Sequence, residues 1–293
     1  MNKRKIYVCF TMDCESPDSP FGGPENWYVA EMSINGFTEN LLKYKQKVTF
    51  FVTPASVIQK PKLFFKISKI FEVGMHLHPF DPITKKRLYI GQFDKEEQRK
   101  ILKENKENWS YAIGMEPKSF RPGNASANDH TFPVLVELGF SQGSCSIPYR
   151  KIPELFADWE GALLDPHHVS PFSRLEKGNL DFLEVPISVD PVRKKINGSP
   201  FELRIEHGDI TYHSIILKNI IERFKREEIP VKSIVFLTHS SYDYTSPNSK
   251  TCRTLIDLIL YLQDLIIKEN FIPVPITIEE LHITVDKENL KNF

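Results

Sequence analysis

Residues 5–16 read Lys5-Ile6-Tyr7-Val8-Cys9-Phe10-Thr11-Met12-Asp13-Cys14-Glu15-Ser16. The unbroken apolar run from Ile6 to Phe10 is what a strand covered on both faces requires, because such a strand has no solvent side to mark with polar residues. Two acids follow directly. In extended chain, Asp13 and Glu15 sit two apart and project to the same side. Two carboxylates on one side repel unless a cation or a shared proton lies between them.

The same grammar recurs along the chain. Apolar runs at Val48–Thr53, Phe71–Leu77, Lys118–Arg121, Ser141–Ile147, Phe182–Ile187, Ser233–Thr238 and Phe271–Ile278 read as further strands. Helical segments fit between them. Leu217, Ile220, Ile221 and Phe224 recur at i, i+3, i+4 and i+7, and Leu255, Leu258, Ile259, Leu262, Leu265 and Ile266 continue such a face over a longer stretch. Asp94 with Glu97 makes a capping box before a charged segment reaching Trp109, and Gly114 is its stop. Strand–helix alternation predicts a mostly parallel sheet with helices outside it. About seven or eight strands favour one barrel over two domains, so residues 1–293 read as a single domain. The Pro-rich stretch Tyr149–Arg174 reads as a long loop over one face.

Composition narrows the function. Hydrophobic residues at 41% allow a packed core. Lys+Arg and Asp+Glu both number 38, giving zero net charge, which argues against a nucleic-acid partner because such binding rests on excess positive charge. The four cysteines form no CxxC pair or disulfide framework and suggest a reducing compartment. No apolar stretch approaches the roughly 18 residues of a membrane span, and the run after the basic N-terminus is too short for a secretory signal. A cytoplasmic location is expected, with peripheral membrane contact left open. There is no GxGxxG or GxxxxGK[ST] phosphate cradle and no GxSxG nucleophile elbow.

Ligands of parallel α/β proteins sit at the C-terminal ends of the strands, and four strand ends carry unusual polar groups. Beside Asp13 and Glu15 stand His76 and His78 in Glu72-Val73-Gly74-Met75-His76-Leu77-His78-Pro79, again two apart and able to chelate a borderline metal. Arg121 in Ser119-Phe120-Arg121-Pro122-Gly123 could hold a carboxylate ionised. His239 follows Phe236-Leu237-Thr238. Each has a bland alternative: loop acids, a polar cleft, a turn, a surface histidine. Together they form a toolkit for metal-assisted hydrolysis, in which a carboxylate takes a proton from water and a histidine protonates the leaving amine.

In this order the segments resemble the polysaccharide deacetylase family, the NodB-homology domain. Thr11-Met12-Asp13-Cys14-Glu15 stands for its TFDDG-like strand end, Glu72–His78 for its histidine motif, Arg121-Pro122-Gly123 for its arginine segment and Leu237-Thr238-His239 for its late LxH. Val48–Val52, Asp158-Trp159, Leu183–Pro186 and Thr277–Leu281 are similar as well. The resemblance spans residues 5 to about 282 and implies a distorted (β/α) barrel of the α/β class. It also implies removal of an N-acetyl or other small acyl group from an amino sugar in glycan metabolism. Asp13 would be the catalytic base, Arg121 its orienting partner, His76 a metal ligand and His239 the general acid. Two positions depart from the family pattern. Cys14 stands where the metal-binding Asp is usual, and Phe80 where the second His is usual. Glu15 and His78 are the expected substitutes, since Cys14 would point away from Asp13 on a strand. The expected cofactor is a divalent metal, zinc by preference, and the expected partner a carbohydrate.

Remaining candidates are weaker. His167 and His168 are adjacent and face opposite ways; His168 is a candidate substrate contact. Trp159 and Tyr149 could stack on a sugar ring. Asp190 or Asp243 could orient His239. His130, His207, His213 and His282 carry no pattern and read as structural or surface residues. Two rival readings stay open: a hydrolase of the same fold acting on a non-sugar amide, and an inactive glycan-binding barrel.

Overall fold

Eight parallel strands and one short antiparallel edge strand make the main sheet of the computed structural model, which describes residues 4–289. The parallel strands are β1 (Arg4–Cys14), β2 (Val48–Val52), β3 (Glu72–Leu77), β4 (Ser119–Pro122), β5 (Gln142–Gly143), β6 (Leu183–Glu184), β7 (Ser233–His239) and β8 (Phe271–Pro275). The spatial order is β6-β5-β4-β3-β2-β1-β7. Tyr7 and Val8 pair with both β7 and β8, and Phe10–Asp13 with both β7 and β2. One edge of β1 is therefore shared end to end by β8 and β2. The sheet curls into a distorted barrel whose ends do not meet in a regular ladder. Ser188 and Arg204 bridge the gap instead: Ser188 N–H donates to the Val235 carbonyl at 3.2 Å, the Ser188 hydroxyl accepts from Val235 N–H at 2.9 Å, and Arg204 bridges to Leu237.

Period-2 alternation sorts the strands' side chains into two layers. Ile6, Val8, Phe10, Met12 and Cys14 of β1 face outward into a large core under the helices. Those helices include α1 (Trp27–Lys43), α2 (Pro54–Gln59), α3 (Pro61–Ser68), α4 (Lys95–Ile113), α5 (Thr131–Glu137), α6 (Ile210–Arg226) and α7 (Lys250–Lys268). Tyr7 and Cys9 face inward with Phe51, Leu183, Val185, Val235, Ile278 and Leu281, a smaller core inside the barrel. This phase decides the site: Asp13 shares the inward set and Cys14 the outward one. The final helix, α8 (Ile278–Asn289), closes the N-terminal end, where Ile278 N–H donates to Thr49 Oγ1 at 3.1 Å and Glu279 N–H to Glu72 Oε2 at 3.0 Å.

α4 begins and ends where its sequence indicates, with reciprocal Asp94–Glu97 capping and Gly114 in the left-handed region. Other expectations need correction. The runs at Ser141–Ile147 and Phe182–Ile187 yield only two-residue strands. Just beyond β5 the backbone leaves the ladder to wrap the buried Glu184 carboxylate, which accepts from Cys145 N–H at 2.9 Å and Ser146 N–H at 2.8 Å. The stretch 149–174 is not plain loop: it holds a small Lys151–Ile152/Ala157–Asp158 ladder and the pair His167–His168, which adds antiparallel to β6.

Candidate active site

Parallel register brings the polar strand ends together. Asp13 lies beside His239 of β7, and His76 beside Arg121 of β4. Gly74 and His76 share a phase opposite to Val73, Met75 and Leu77, which pack outward. Asp13, Glu15, His76, His78, Arg121 and His239 all line one cleft of about 330 Å³.

Asp13 is buried, and its Oδ1 accepts from Arg121 Nη1 at 2.7 Å. Arg121 is fixed in turn by its Nε–H donating to the Ser144 carbonyl at 3.0 Å and by stacking 4.2 Å from the Phe51 ring centroid. The other carboxylate oxygen, Oδ2, faces His76 Nε2 at 3.8 Å and His239 Nε2 at 4.0 Å. Burial pushes the Asp13 carboxyl upward, but Arg121, His76 and His239 outweigh it and hold the group below the ordinary aspartate value. Asp13 is thus an anion aimed into the cleft.

Glu15, His76 and His78 form the second half. One ligand atom from each lies within 4.8 Å of the others. Glu15 Oε1 is 3.2 Å from His78 Nε2 and 3.8 Å from His76 Nε2. Its Oε2 accepts from the Ser19 hydroxyl at 2.9 Å. His76 Nδ1 lies 2.9 Å from the Arg121 carbonyl, which can only accept, so Nδ1 carries the hydrogen and Nε2 is the nitrogen that offers a lone pair in the neutral ring. That Nε2 is buried without a hydrogen-bond partner. Burial pulls His76 downward, yet Asp13 and Glu15 raise it above the ordinary histidine value, which shows how strongly this spot attracts positive charge. Two imidazole nitrogens and a carboxylate are the donor set of a borderline divalent cation, and the oriented, orphaned Nε2 fits one. Cys14 does not fit. Its thiol is in the outward core, and burial next to Asp13 holds it protonated, well above the ordinary value.

His78 is wedged between the Phe21 ring, 4.3 Å away between centroids, and the backbone of Gly123. A Cβ on Gly123 would fall 2.1 Å from His78 Nδ1. Gly123→Ala is therefore expected to displace the imidazole and weaken divalent-metal affinity by about 10–100-fold, the usual scale for disturbing a ligand's support, as read by metal titration.

His239 is oriented by Glu206, whose Oε1 lies 2.6 Å from His239 Nδ1 while Oε2 accepts from the Thr238 hydroxyl at 2.9 Å. Burial pushes Glu206 up, but its hydrogen bond and charge interaction with His239 keep it below the ordinary glutamate value.

Residues 28–143 match the family whose model is described as polysaccharide deacetylase. The matched stretch is similar to that family in sequence. It carries His76, His78 and Arg121, while Asp13, Glu15 and His239 lie outside it. No curated protein matches the chain significantly. Among solved structures, a putative polysaccharide deacetylase from Mycobacterium smegmatis is 16% identical, covers 98% of this chain and 92% of its own, and superposes with a TM-score of 0.64. Puue allantoinase is 12% identical, covers 96% of this chain and 90% of its own, with a TM-score of 0.60. These likenesses show the distorted-barrel fold.

Within this distorted barrel several expected contacts lie elsewhere. Asp190 is fully buried but saturated by Val192 N–H, Arg193 and Asn219, and Asp243 caps the turn at Thr245 and Ser246; neither touches His239. Trp159 is completely buried and donates its indole N–H to the Ala125 carbonyl at 2.7 Å, so its faces are closed to a sugar. It supports the turn after Arg121, where Asn124 and Ala125 both take left-handed φ of 58° and 56°. The Tyr149 ring is capped by Lys194 Nζ, 4.7 Å from its centroid. His168 bonds Asp286 of α8 and does not line the cleft. The cleft's aromatic wall is Phe21 instead, and Arg150, Lys195, Arg204 and His207 also line it.

Proposed function

We propose that this chain is a metal-dependent hydrolase that removes an N-acetyl or other small acyl group from an amino sugar in glycan metabolism. Glu15, His76 and His78 hold the divalent metal, zinc by preference for this donor set. When bound there, the cation supplies Lewis-acid polarisation of the acyl carbonyl and acidifies water. The chain's own groups move the protons. Asp13 Oδ2 takes one from the attacking water, and Arg121 keeps that carboxylate ionised and aimed. Glu206 turns His239 so that Nε2 faces the scissile bond, where it delivers a proton to the departing amine. Water's hydroxyl joins the acyl carbon, the C–N bond breaks, and the products are a small carboxylate and a free amine. A 330 Å³ cleft is at the lower end of small-ligand sites, and its mixture of Phe21, Ile147, Ile152, Ile187 and charged groups suits the apolar faces and hydroxyl edges of a sugar. The cytoplasm is the proposed location, in keeping with four free, buried cysteines.

The observation that carries this reading is the buried, partnerless Nε2 of His76 beside Glu15, His78 and the Asp13 anion. The test is acetate release from N-acetylated oligosaccharides by chelator-stripped, zinc-reloaded protein. His76→Ala and Glu15→Gln are expected to lose both metal and acetate release; Cys14→Ala is expected to retain both. Sugar binding without acetate release would instead establish an inactive glycan-binding barrel. Hydrolysis confined to non-sugar amides would overturn the sugar substrate and keep the chemistry.

A further inference from the structure

Two groups of metal-capable side chains converge among the described residues, and the second lies at the opposite end of the barrel from the cleft. His168 Nε2 stands 3.0 Å from Asp286 Oδ1, and His282 Nε2 stands 3.2 Å from Asp286 Oδ2. His282 and Asp286 share one face of α8 at i, i+4 spacing, and His168 comes from the short strand beside β6.

The hydrogen bonds around this trio fix where its protons are. His168 Nδ1 lies 3.0 Å from the Leu180 carbonyl, which can only accept, so Nδ1 carries the hydrogen. His282 Nδ1 lies 3.0 Å from Gln142 Oε1. The orientation of that amide is set from its far side. The Ser119 hydroxyl donates its single hydrogen to Glu72, and so accepts from Gln142 Nε2 at 2.8 Å. Gln142 therefore offers its oxygen to His282, and the His282 hydrogen is on Nδ1. In their neutral forms both imidazoles turn a bare Nε2 lone pair toward the Asp286 carboxylate. Three acceptors then converge with no hydrogen between them, and His282 Nε2 is buried without a hydrogen-bond partner. One added proton would join only one ring to Asp286 and leave the other Nε2 bare, and two would set two positive rings 5.5 Å apart, centroid to centroid, against one carboxylate. A single cation relieves it completely. With bonds of about 2.0–2.1 Å, neighbouring ligands around a tetrahedral ion stand about 3.3 Å apart, and one ligand atom from each of the three residues already lies within 4.8 Å of the other two.

We propose that His168, His282 and Asp286 form a second, structural site for a zinc-like divalent cation, tying α8 to the edge of the sheet at the closed end of the barrel. Asp286 is 45% exposed, which leaves solvent room to supply a fourth ligand. The hydrogen bonds from Leu180 and Gln142 play the part that outer partners play in metal sites, fixing tautomer and ring angle. The Gln142 contact continues through Ser119 and Glu72 to Thr49 and the first turn of α8, so an ion here would brace that helix at both ends.

The experiment uses the full-length, untagged chain, stripped with chelator and titrated with Zn²⁺ alone. Binding stoichiometry and thermal midpoint are read together. Asp286→Asn, a change at a half-exposed position, is expected to lower the stoichiometry by one equivalent, and His168→Ala to do the same. His76→Ala empties only the cleft. Its remaining equivalent should still raise the thermal midpoint, and the His76→Ala/Asp286→Asn double variant should show neither binding nor a shift. The arms separate the two sites, because failure of the cleft to bind metal leaves the Asp286-dependent equivalent in place. Unchanged stoichiometry in both Asp286→Asn and His168→Ala overturns the proposal, as does a His76→Ala protein that binds nothing.

Discussion

Asp13→Asn is expected to lower kcat for deacylation by about 10²–10⁴-fold, the range for removing a general acid–base group, while metal content stays unchanged. The substituted amide keeps the shape and one acceptor for Arg121 but cannot take a proton from water. The separation of effects follows from the geometry. Oδ1 is committed to Arg121 at 2.7 Å, and Oδ2 is the oxygen that faces both His76 and His239 across the cleft. Glu15, not Asp13, lies 3.2 Å from His78. Steady-state kinetics on an acetylated oligosaccharide, paired with metal analysis of the same preparation, checks the claim. Parallel loss of metal and turnover would show that Asp13 is a ligand and that the roles of the two acids are exchanged. A smaller drop in kcat with unchanged metal would move the base function to another group.

What was legible in the sequence was whatever a strand's period enforces. Asp13 with Glu15 and His76 with His78 are i, i+2 pairs, and a strand must turn such pairs to one side; the inward phase of Tyr7 and Cys9 carries Asp13 with it. The same rule sends Cys14 outward, despite its place where the deacetylase pattern has a ligand. Glu206 was not legible. It sits in the short 3-10 turn Ile205–His207, in an irregular segment that closes the barrel through the Arg204–Leu237 bridge, and no periodicity announces such a closure. Asp190 and Asp243 are the acids the sequence offers for orienting His239, yet local hydrogen bonds consume both. Trp159 and His168 illustrate a different limit. An aromatic or a histidine in a Pro-rich stretch has no phase to read, and only the fold shows that one is sealed under a strained turn and the other is at the far end of the barrel. His282 carried no pattern by itself because its partners stand 114 residues back, at His168, and one helical turn on, at Asp286.

Arg121→Met is expected to destabilise the metal-free protein by about 3–5 kcal/mol near neutral pH, the cost of leaving one member of a buried ion pair without its partner. Both groups are almost fully enclosed, Arg121 at 2% exposure and Asp13 at 4%. Methionine replaces the aliphatic stem against Phe51 but not the charge, so the loss falls on Asp13. Asp13→Asn/Arg121→Met should recover much of it, since no buried charge then stands alone, and the cycle isolates the pair's coupling. The pH dependence has a definite sign. In the wild type the Asp13 carboxyl is depressed in the folded state. Its stabilisation is present above the unfolded value of about 3.9 and is lost as pH falls through the lower folded value. Burial is the largest single influence on Asp13, and without Arg121 it is offset only by His76 and His239, so the folded-state value rises. The deficit of Arg121→Met relative to wild type should therefore be largest near neutrality and shrink as pH falls toward the range where Asp13 takes up a proton. Urea unfolding of chelator-treated proteins at pH 7 and pH 4.5 measures this directly. An equal deficit at both values, with no recovery in the double variant, would mean that Arg121 stabilises the barrel through its bond to the Ser144 carbonyl and its packing on Phe51, and not by neutralising Asp13.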